Sequence, residues 1–371
     1  MMLTFWCAAA ALAAPLRRIV VAGGTHGNEY TGVYVLQQFA SRQAELANKY
    51  PSLSIETLLA NPEAHAANRR FIDCDLNRQF STSSLADDAL PGYEAGRAKD
   101  IAAILGPKGP NAAATMCIDM HTTTANMGCT IIVSAYSKLA QRAAAYAYQQ
   151  WDAECASDFA AACARGLATD SGGDGTDDGD GAGARPARAH ASRPYHPLRV
   201  MIEKVDQADA GHLSSVARDG IEIEVGPTPQ SLLRSDVVGS TERALRLLLR
   251  YLELHFSDAP EPKLPATLPA YVMLGKVPFV DSPSETSPAT SSHMLGAVVA
   301  ASLQDRDFAP LRAGEPLFEH ADGRLIPYDG SFGDEVYPVF INEAAYYMHE
   351  SGRGVGMSQR VEWAVPKGGL G

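Results

Sequence analysis

Apolar residues recur at two different spacings in the first part of the chain. The run Arg18–Ala22 is short, rich in β-branched residues and ends at a glycine pair, which is typical of a buried strand. From Glu29 to about Ala47, valine, leucine and phenylalanine lie at helical spacing with polar residues between them. A strand, a glycine turn and a helix in this order indicate an α/β fold.

Strands and helices continue to alternate over most of the chain. Short apolar runs predict strands at Ser54–Ala60, Thr115–Met120, Thr130–Ser134 and Ile221–Val225. Helical spacing predicts helices at Glu94–Leu105, Lys138–Trp151 and Thr241–His255. We therefore expect an α/β fold with a mostly parallel or mixed sheet.

Proline spacing indicates how the chain is divided. Asp258–Pro269 contains four prolines, as a stiff linker does, and short β-rich pieces follow it. The predicted units are an N-terminal extension over residues 1–17, an α/β domain over 18–257, a linker over 258–269 and a smaller, mostly β C-terminal domain over 270–371.

Two low-complexity segments, Gly166–Pro194 and Asp281–Ser292, read as insertions. The first holds several aspartates beside glycines and so imitates a calcium loop. The EF-hand pattern requires a glutamate at its twelfth place, however, and this segment contains no glutamate. We predict a solvated, mobile loop there.

Composition narrows the function classes. Hydrophobic residues make up 46% and charged residues 20%, as in globular proteins, and the net charge of −12 argues against a nucleic-acid partner. No apolar run reaches the length of a membrane span. The six cysteines form no paired framework, which favours a reducing compartment.

The apolar run Leu3–Ala14 has the length of a signal peptide and ends in small residues. No Lys or Arg precedes it, which a signal peptide would require. We expect a cytoplasmic protein, with secretion through this run as the alternative.

The segment after the first predicted strand has the spacing of a metal site. His26 and Glu29 are three residues apart in a glycine-rich turn that opens a helix, and His121 stands where the strand Thr115–Met120 is predicted to end. Two histidines and one glutamate form a catalytic zinc site that leaves a fourth position for water. The alternative is a helix N-terminus with a stray histidine.

A zinc-activated water needs a proton acceptor, and two glutamates are candidates. Glu224 ends a predicted strand just before Gly226-Pro227, and Glu222 lies on the same strand face. Separately, Arg70 and Arg78 lie in one short segment with Asn77 between them. Arginine binds carboxylates through two parallel hydrogen bonds, so this segment suits an acyl oxygen and a substrate carboxylate. The alternative is structural pairing with Asp73 and Asp75.

Six ordered blocks strongly resemble the aspartoacylase family, which groups with the succinylglutamate desuccinylases and is related to the zinc carboxypeptidases. They are GGTHGNE (Gly23–Glu29), NP (Asn61-Pro62), FIDCDLNR (Phe71–Arg78), DMHTTTANMGCT (Asp119–Thr130), IEVGPTPQ (Ile223–Gln230) and YPVFINEAAYY (Tyr337–Tyr347). The resemblance implies a carboxypeptidase-like α/β/α sandwich with a mixed sheet and a C-terminal β domain that caps the site. Aminoacylase type three is the close alternative within the family.

The resemblance also implies roles for individual residues. It places one zinc ion per chain on His26, Glu29 and His121, and it makes Glu224, not Glu222, the catalytic base and acid. Arg70 then polarises the acyl carbonyl. The substrate-binding residues that it implies are Asn77, Arg78 and Tyr346. The expected reaction is zinc-dependent hydrolysis of N-acyl-L-amino acids, of the type that converts N-acetylaspartate to acetate and aspartate.

One departure puts the substrate in doubt. Aspartoacylases have an arginine ten residues before the catalytic glutamate, where this chain has Ser214, and His212, Arg218 or a residue of the long insertion could replace it. An aminoacylase for N-acetyl aromatic amino acids or mercapturates is therefore the alternative. A carboxypeptidase and a catalytically dead binding protein are weaker ones. We expect a small-molecule partner, and relatives commonly self-associate, so a homo-oligomer is also expected.

Overall fold

The computed structural model describes residues 17–164, 197–280, 296–348 and 353–368. The predicted insertions Gly166–Pro194 and Asp281–Ser292 lie outside the described residues, as does the N-terminal extension up to residue 16. In the described part of the chain, no helix is long and apolar enough to cross a membrane.

Strands and helices alternate as the spacing predicts. The strands are β1 (Arg17–Gly23), β2 (Leu53–Leu59), β3 (Met116–Thr122), β4 (Gly128–Ser134), β5 (Leu198–Glu203), β6 (Asp219–Gly226), β7 (Thr267–Val277), β8 (Ala297–Val299), β9 (Leu311–Arg312), β10 (Pro316–His320), β11 (Leu325–Pro327), β12 (Glu335–Val339) and β13 (Val355–Ala364). The helices are α1 (Tyr30–Ser41), α2 (Gln43–Lys49), α3 (Pro62–Ala66), α4 (Thr82–Ala86), α5 (Tyr93–Leu105), α6 (Lys138–Ala164) and α7 (Ser235–Phe256). Short 3₁₀ turns cover Leu76–Arg78, Leu213–Val216 and Ala344–Tyr347.

Among the described residues, ten strands form one mixed sheet in the order β2-β1-β3-β6-β4-β5-β7-β13-β12-β9. β1, β2, β3 and β6 run parallel, whereas β4 is antiparallel to β6 and parallel to β5. A small antiparallel sheet, β11-β10-β8, lies in the C-terminal part. The predicted α/β class with a mixed sheet and a β-rich C-terminal region is confirmed.

Apolar layers cover both faces of the large sheet. In β1, Ile19 and Val21 pack into one core, which α1, α6 and α7 cover, while Val20 and Ala22 pack into a second core with α5. The alternation follows from the two-residue period of a strand. Both faces are therefore buried, as the sandwich prediction requires.

The sheet does not stop at the predicted linker. β7 begins at Thr267, inside the segment 258–269, and pairs in parallel with β5 at Met201↔Tyr271. β13 then pairs with β7 along nearly its whole length. The C-terminal strands thus extend the same sheet, and the division of the chain into domains stays a prediction.

Some predicted helices differ in length from the observed ones. The helix predicted from Glu29 to about Ala47 is divided at Arg42 into α1 and α2. α6 continues to Ala164 although its second half, rich in alanine, lacks a clear apolar stripe. The elements nevertheless begin near the predicted residues.

Candidate active site

The site lies on one face of two neighbouring parallel strands, β3 and β6. Met116, Ile118 and Met120 of β3 point into the core under α1, α6 and α7. Asp119 and His121 therefore occupy the opposite face. In the register of the two strands His121 is paired with Glu224 and Asp119 with Glu222, so four polar side chains meet on this face near the carboxyl ends of both strands.

The turn after β1 brings two more polar side chains to this point. Gly24 has φ +68°, and a Cβ on Gly27 would lie 2.2 Å from the backbone of Ala64 and His65. Only glycine fits so close an approach. The turn is thereby held against α3, with His26 and Glu29 buried at the entrance to α1.

Three donor atoms converge between these elements. His26 Nδ1 lies 2.6 Å from Glu29 Oε1 and 3.2 Å from His121 Nδ1, and His121 Nδ1 lies 3.2 Å from Glu29 Oε2. All three residues are buried, and one ligand atom from each lies within 4.8 Å of the others. We call His26, Glu29 and His121 the metal group, because two imidazoles and a carboxylate in this arrangement could hold a divalent cation.

The far side of each imidazole faces a carboxylate. His121 Nε2 lies 2.9 Å from Asp119 Oδ2, and His26 Nε2 lies 3.1 Å from Asp75 Oδ1. Thr25 Oγ1 in turn donates to both oxygens of Asp119. For His121 such a partner holds the proton on Nε2 and leaves the Nδ1 lone pair free for a metal. His26 Nε2 also lies 2.8 Å from Nη2 of Arg70. The donor set and its surroundings therefore fit zinc.

The ionisable side chains of the metal group strongly shift one another's pKa values in this buried environment. Burial alone would raise the pKa of Glu29, but His26 and His121 outweigh it and hold that pKa well below its usual range. Burial would lower the pKa of His121, yet Asp119 and Glu29 raise it well above the ordinary value. The group thus favours a positive charge between its donor atoms.

The loop from Arg70 to Arg78 is fixed by one buried glutamate, Glu94 on α5. Its carboxylate accepts hydrogen bonds from three successive backbone amides, those of Ile72 at 2.6 Å, Asp73 at 3.0 Å and Cys74 at 3.2 Å. Asn61 Nδ2 adds a fourth at 3.1 Å. The loop therefore has a defined conformation beside the metal group.

Arg70 lies buried within this loop. Its Nη2 lies 3.2 Å from Asp75 Oδ2, and its Nη1 lies 3.4 Å from Glu29 Oε1. The ion pair with Asp75 is the structural alternative that the sequence allowed, and the contact with Glu29 places the guanidinium beside the metal group. Arg70 therefore makes the structural ion pair and borders the metal group at the same time.

Asn77 and Arg78 follow on the 3₁₀ turn. The backbone amide of Leu213 donates to Asn77 Oδ1 at 2.8 Å, which leaves the amide nitrogen of Asn77 as a donor toward the cavity. Arg78 is exposed, and its Nη1 donates to the carbonyl of Asn77 at 2.8 Å. Two donors thus lie side by side at the cavity wall.

Glu224 differs from Glu222 in its surroundings. Glu224 Oε1 is buried and has no hydrogen-bond partner among the described residues. Burial raises the pKa of Glu224 well above its usual value, and Glu29 and Glu343 raise it further against the opposing His121. Glu222 Oε1 instead accepts a hydrogen bond from Ser214 Oγ at 3.2 Å.

The C-terminal part closes the site from the other side. Glu343 accepts hydrogen bonds from Thr123 Oγ1 and from the amides of Thr124 and Ala345, both at 3.0 Å. It thereby fixes the 3₁₀ turn that presents Tyr346. Lys276 Nζ lies 3.4 Å from the centre of the Tyr346 ring, and burial raises the pKa of the Tyr346 phenol above its ordinary value.

The metal group and the predicted catalytic and substrate-binding side chains border one cavity. The residues that sequence analysis singled out and that line it are His26, Glu29, Arg70, Asn77, Arg78, His121, Glu224 and Tyr346. His212 and Glu222, which it weighed as alternatives, line the same cavity. Arg218 does not line it. Ser214 lies beside it, in contact with Glu222.

Several residues of the cavity are not predicted from sequence. Glu203 ends β5, and Glu343 and Phe340 come from the C-terminal part. Their positions depend on strand order and on contacts over hundreds of residues. The one local signal is the match of Tyr337–Tyr347 to a family block, which includes both Phe340 and Glu343.

Comparisons with known proteins agree with this geometry. Residues 15–170 match the model of the succinylglutamate desuccinylase/aspartoacylase catalytic domain, and residues 284–353 match the AstE/AspA barrel-sandwich hybrid domain. The chain is 33% identical to the N-acyl-aromatic-L-amino acid amidohydrolase (carboxylate-forming) of Homo sapiens over 95% of this chain and 93% of that protein. It is 30% identical to the aspartoacylase of Mus musculus over 90% of each chain.

A solved structure shows the same fold. The crystal structure of murine aminoacylase 3 superposes with a TM-score of 0.71 at 33% identity, covering 96% of this chain and 99% of that one. Identity at this level over nearly the whole length of both chains extends to the region of the metal group and the C-terminal part. The chain therefore belongs to the succinylglutamate desuccinylase/aspartoacylase family of amidohydrolases.

Proposed function

We propose that this protein hydrolyses the amide bond of N-acyl-L-amino acids with one zinc ion held by His26, Glu29 and His121. The observation that supports this most directly is the single cavity in which the metal group, Glu224, Arg70, Asn77, Arg78 and Tyr346 meet. When bound there, zinc lowers the pKa of water and polarises a carbonyl oxygen. The products are a carboxylate from the acyl group and a free amino acid.

Glu224 accepts the proton of the attacking water. Its Oε1 is buried and lacks a partner within the described structure, and in register Glu224 stands directly beside His121. The water oxygen attacks the acyl carbon, and the bond from that carbon to nitrogen breaks. Glu224 then delivers its proton to the departing amine, so one carboxylate is first base and then acid.

Arg70 stabilises the negative charge that develops on the acyl oxygen. Its guanidinium is buried and lies 3.4 Å from Glu29, hence beside the metal group. A donor fixed in advance by Asp75 does not have to reorient during the reaction, and such preorganised charge is usually the largest contribution to catalysis.

Asn77, Arg78 and Tyr346 orient the substrate. The free amide donor of Asn77 and the guanidinium of Arg78 together fit the α-carboxylate, which fixes the position of the neighbouring amide bond. Tyr346 contributes a phenol from the opposite wall. Because burial raises its pKa, Tyr346 remains a hydrogen-bond donor at neutral and moderately alkaline pH.

Within the family, we infer an aminoacylase type in preference to the N-acetylaspartate specificity predicted from sequence. Ser214 replaces the arginine expected for a side-chain carboxylate, and its hydroxyl donates to Glu222. His212, the possible substitute that lines the cavity, lies 3.3 Å from both Glu203 and Glu222 and is thus engaged by carboxylates. The human relative named above is likewise an aminoacylase.

The proposal is tested by hydrolysis of N-acetylated amino acids by purified, zinc-loaded protein. We expect Glu224→Gln to retain zinc but to lose about 10²- to 10⁴-fold in kcat, as for loss of a general base. Glu45→Gln, at an exposed position of α2, is the matched control and should leave kcat unchanged. Equal activity of Glu224→Gln and the native protein would refute the assigned base, and no turnover of any N-acyl amino acid would refute the function.

A further inference from the structure

A second cavity opens directly from the candidate active site. We call it the side-chain cavity, and the residues that it shares with the site are Ile132, Glu203, His212 and Glu222. It continues along β6 away from Glu224, past Ser214 to Asp219 near the start of that strand. A substrate held by its α-carboxylate and its amide bond directs the substituent of its α carbon into such an adjoining space.

Three carboxylates line this cavity, against one arginine and one histidine. Glu203 Oε2 and Glu222 Oε1 both lie 3.3 Å from the same atom, His212 Nδ1. One imidazole nitrogen can donate a single hydrogen atom, so it cannot fully satisfy both carboxylates. Asp219 adds a third carboxylate farther along, held by Ser137 Oγ.

The pKa values of the two glutamates reflect this crowding. Burial and then the neighbouring Glu222 raise the pKa of Glu203, against the opposing His212 and Arg78. For Glu222, burial would raise the pKa, but His212 and His121 outweigh it and lower it. The raised pKa of Glu203 indicates that an additional positive charge beside it would be stabilising.

Two arginines border these cavities, Arg78 in the active-site cavity and Arg218 in the side-chain cavity. Arg78 borders the active-site cavity together with Glu203 and Glu222 and acts to lower the pKa of both, and the proposed function assigns its guanidinium to the α-carboxylate. Arg218 lines the side-chain cavity at the end where Asp219 lies, and its Nε donates to the carbonyl of Ala112 at 2.7 Å. Ser214, at the position where an aspartoacylase is expected to have an arginine, supplies only a hydroxyl. The cavity therefore has more negative than positive groups.

From this arrangement we propose that the preferred substrates are N-acyl-L-amino acids whose side chain ends in a cation, an amine or a guanidine, bound by Glu203 and Glu222. The proposal rests on the proposed function and specifies its substrate class. The apolar wall at Ile132, Val133 and Val205 would accommodate the methylene groups of such a side chain. An acidic side chain that enters from the active site would meet Glu203 and Glu222 before Arg218, which disfavours it.

The test compares substrates that differ only in charge. Nα-acetyl-L-ornithine and N-acetyl-L-norleucine have side chains of equal length, one with a terminal ammonium and the other with a methyl group. For the native, zinc-loaded protein we expect kcat/KM to be at least about tenfold higher for the ornithine derivative, as for a partly buried charge pair. N-acetyl-L-aspartate and N-acetyl-L-phenylalanine are the other two substrates, and we expect kcat/KM for both to be lower than for the ornithine derivative.

Variants show whether the two glutamates cause the preference. In Glu222→Gln the ratio of kcat/KM for ornithine over norleucine should fall about tenfold, and in Glu203→Gln it should also fall, since each loses one carboxylate. Glu45→Gln removes the same charge at an exposed position and should leave the ratio as in the native protein. Zinc content and circular dichroism confirm that each variant is folded, and the native ratio alone remains decisive if one is not.

The outcomes separate the two proposals. A ratio near one or below one in the native protein, with both derivatives hydrolysed, overturns the cationic specificity but leaves the deacylase function in place. Preference for the aspartate or the phenylalanine derivative does the same. No hydrolysis of any derivative by zinc-loaded protein overturns the proposed function, and the specificity falls with it.

Discussion

The metal group and the side-chain cavity are adjacent, yet their polar groups are compensated very differently. Each donor residue of the metal group has its own second partner: Asp119 for His121, Asp75 for His26 and the amide of Thr122 for Glu29. In the side-chain cavity, Glu203 and Glu222 share one imidazole. The first region is thus complete without a substrate, whereas the second is left with excess negative charge that a substrate can neutralise.

Because of this difference, we expect the metal group to determine the reaction and the side-chain cavity to determine which substrate is preferred. A closed network of hydrogen bonds holds the reactive groups in one geometry, so a change there affects the reaction for every substrate. A region with uncompensated charge can exchange one side chain without disturbing that network. Ser214, where the sequence comparison leads us to expect an arginine in aspartoacylases, is a position of this kind, because it lies beside Glu222 and outside the metal group.

The largest expected difference is between substitutions of His26 and His212, two histidines that line the same cavity. We expect His26→Ala to lose zinc and to reduce kcat/KM by about 10³-fold or more for all substrates, since a catalytic metal contributes several kcal/mol. We expect His212→Gln to retain zinc and to change mainly the ranking of substrates. Metal analysis and kcat/KM for each derivative measure both effects. Loss of zinc in His212→Gln would remove the contrast.

Substitution of a hydrogen-bond partner of the metal group should reduce zinc affinity less than substitution of a residue of the metal group itself. Asp119→Asn removes the carboxylate that faces His121 Nε2 at 2.9 Å. We expect zinc affinity to fall about 10- to 100-fold, as for other such partners. Competition with a chromophoric chelator measures it, and Asp158→Asn, paired with Arg243 outside the cavity, is the control. Unchanged affinity would show that the network around the metal group is not needed.

Glu94 tests whether the loop that presents Arg70 depends on its buried support. Glutamine has one acceptor oxygen where Glu94 uses two for backbone amides. We expect Glu94→Gln to lower the free energy of unfolding by about 2 kcal/mol, because a buried donor is left unsatisfied. Urea denaturation measures this, and kcat/KM should fall in parallel. Native stability would mean that the loop is held by other contacts.

The smallest expected effect concerns pH. Burial, with Arg78 nearby, lowers the pKa of Lys276 to about 8, although Glu343 opposes the shift. As pH rises through this value, the ammonium beside Tyr346 loses its charge and attracts an anionic substrate less. We expect kcat/KM to fall about two- to threefold between pH 7 and 9, as for a screened charge. In Lys276→Met this fall should be absent, and its persistence would exclude Lys276 as the cause.

Local patterns were sufficient to predict much of the fold. β1, β3 and β6 were predicted within a few residues because their apolar runs are continuous or alternate strictly. β5 was not predicted, since its six residues include Arg199 and Glu203 and directly follow a polar insertion. The division between α1 and α2 at Arg42 was also missed, because the apolar spacing continues across it.

The residues of the site likewise fall into two classes. Local sequence patterns identify some of them, whereas only the folded structure brings the others into place. His26 and Glu29 are close in sequence, and Glu222 and Glu224 follow from strand period, so spacing alone identifies them as candidates. Glu94 and Glu203 gain their positions only from folding, and an isolated glutamate in a sequence gives no signal for a fourfold acceptor or a cavity wall. Non-local contacts of this kind decide what the cavity selects.

The bond between Glu343 and Thr123 joins residues 220 positions apart, and it has a consequence for biosynthesis. Thr123 comes two residues after His121, the last member of the metal group, whereas Glu343 and Tyr346 leave the ribosome only after most of the protein has been made. A nascent chain therefore exposes its metal ligands long before the crevice around them can close. Proteolytic removal or incomplete translation of the segment with Glu343 and Tyr346 should leave a chain that has its zinc ligands but no orienting wall for a substrate.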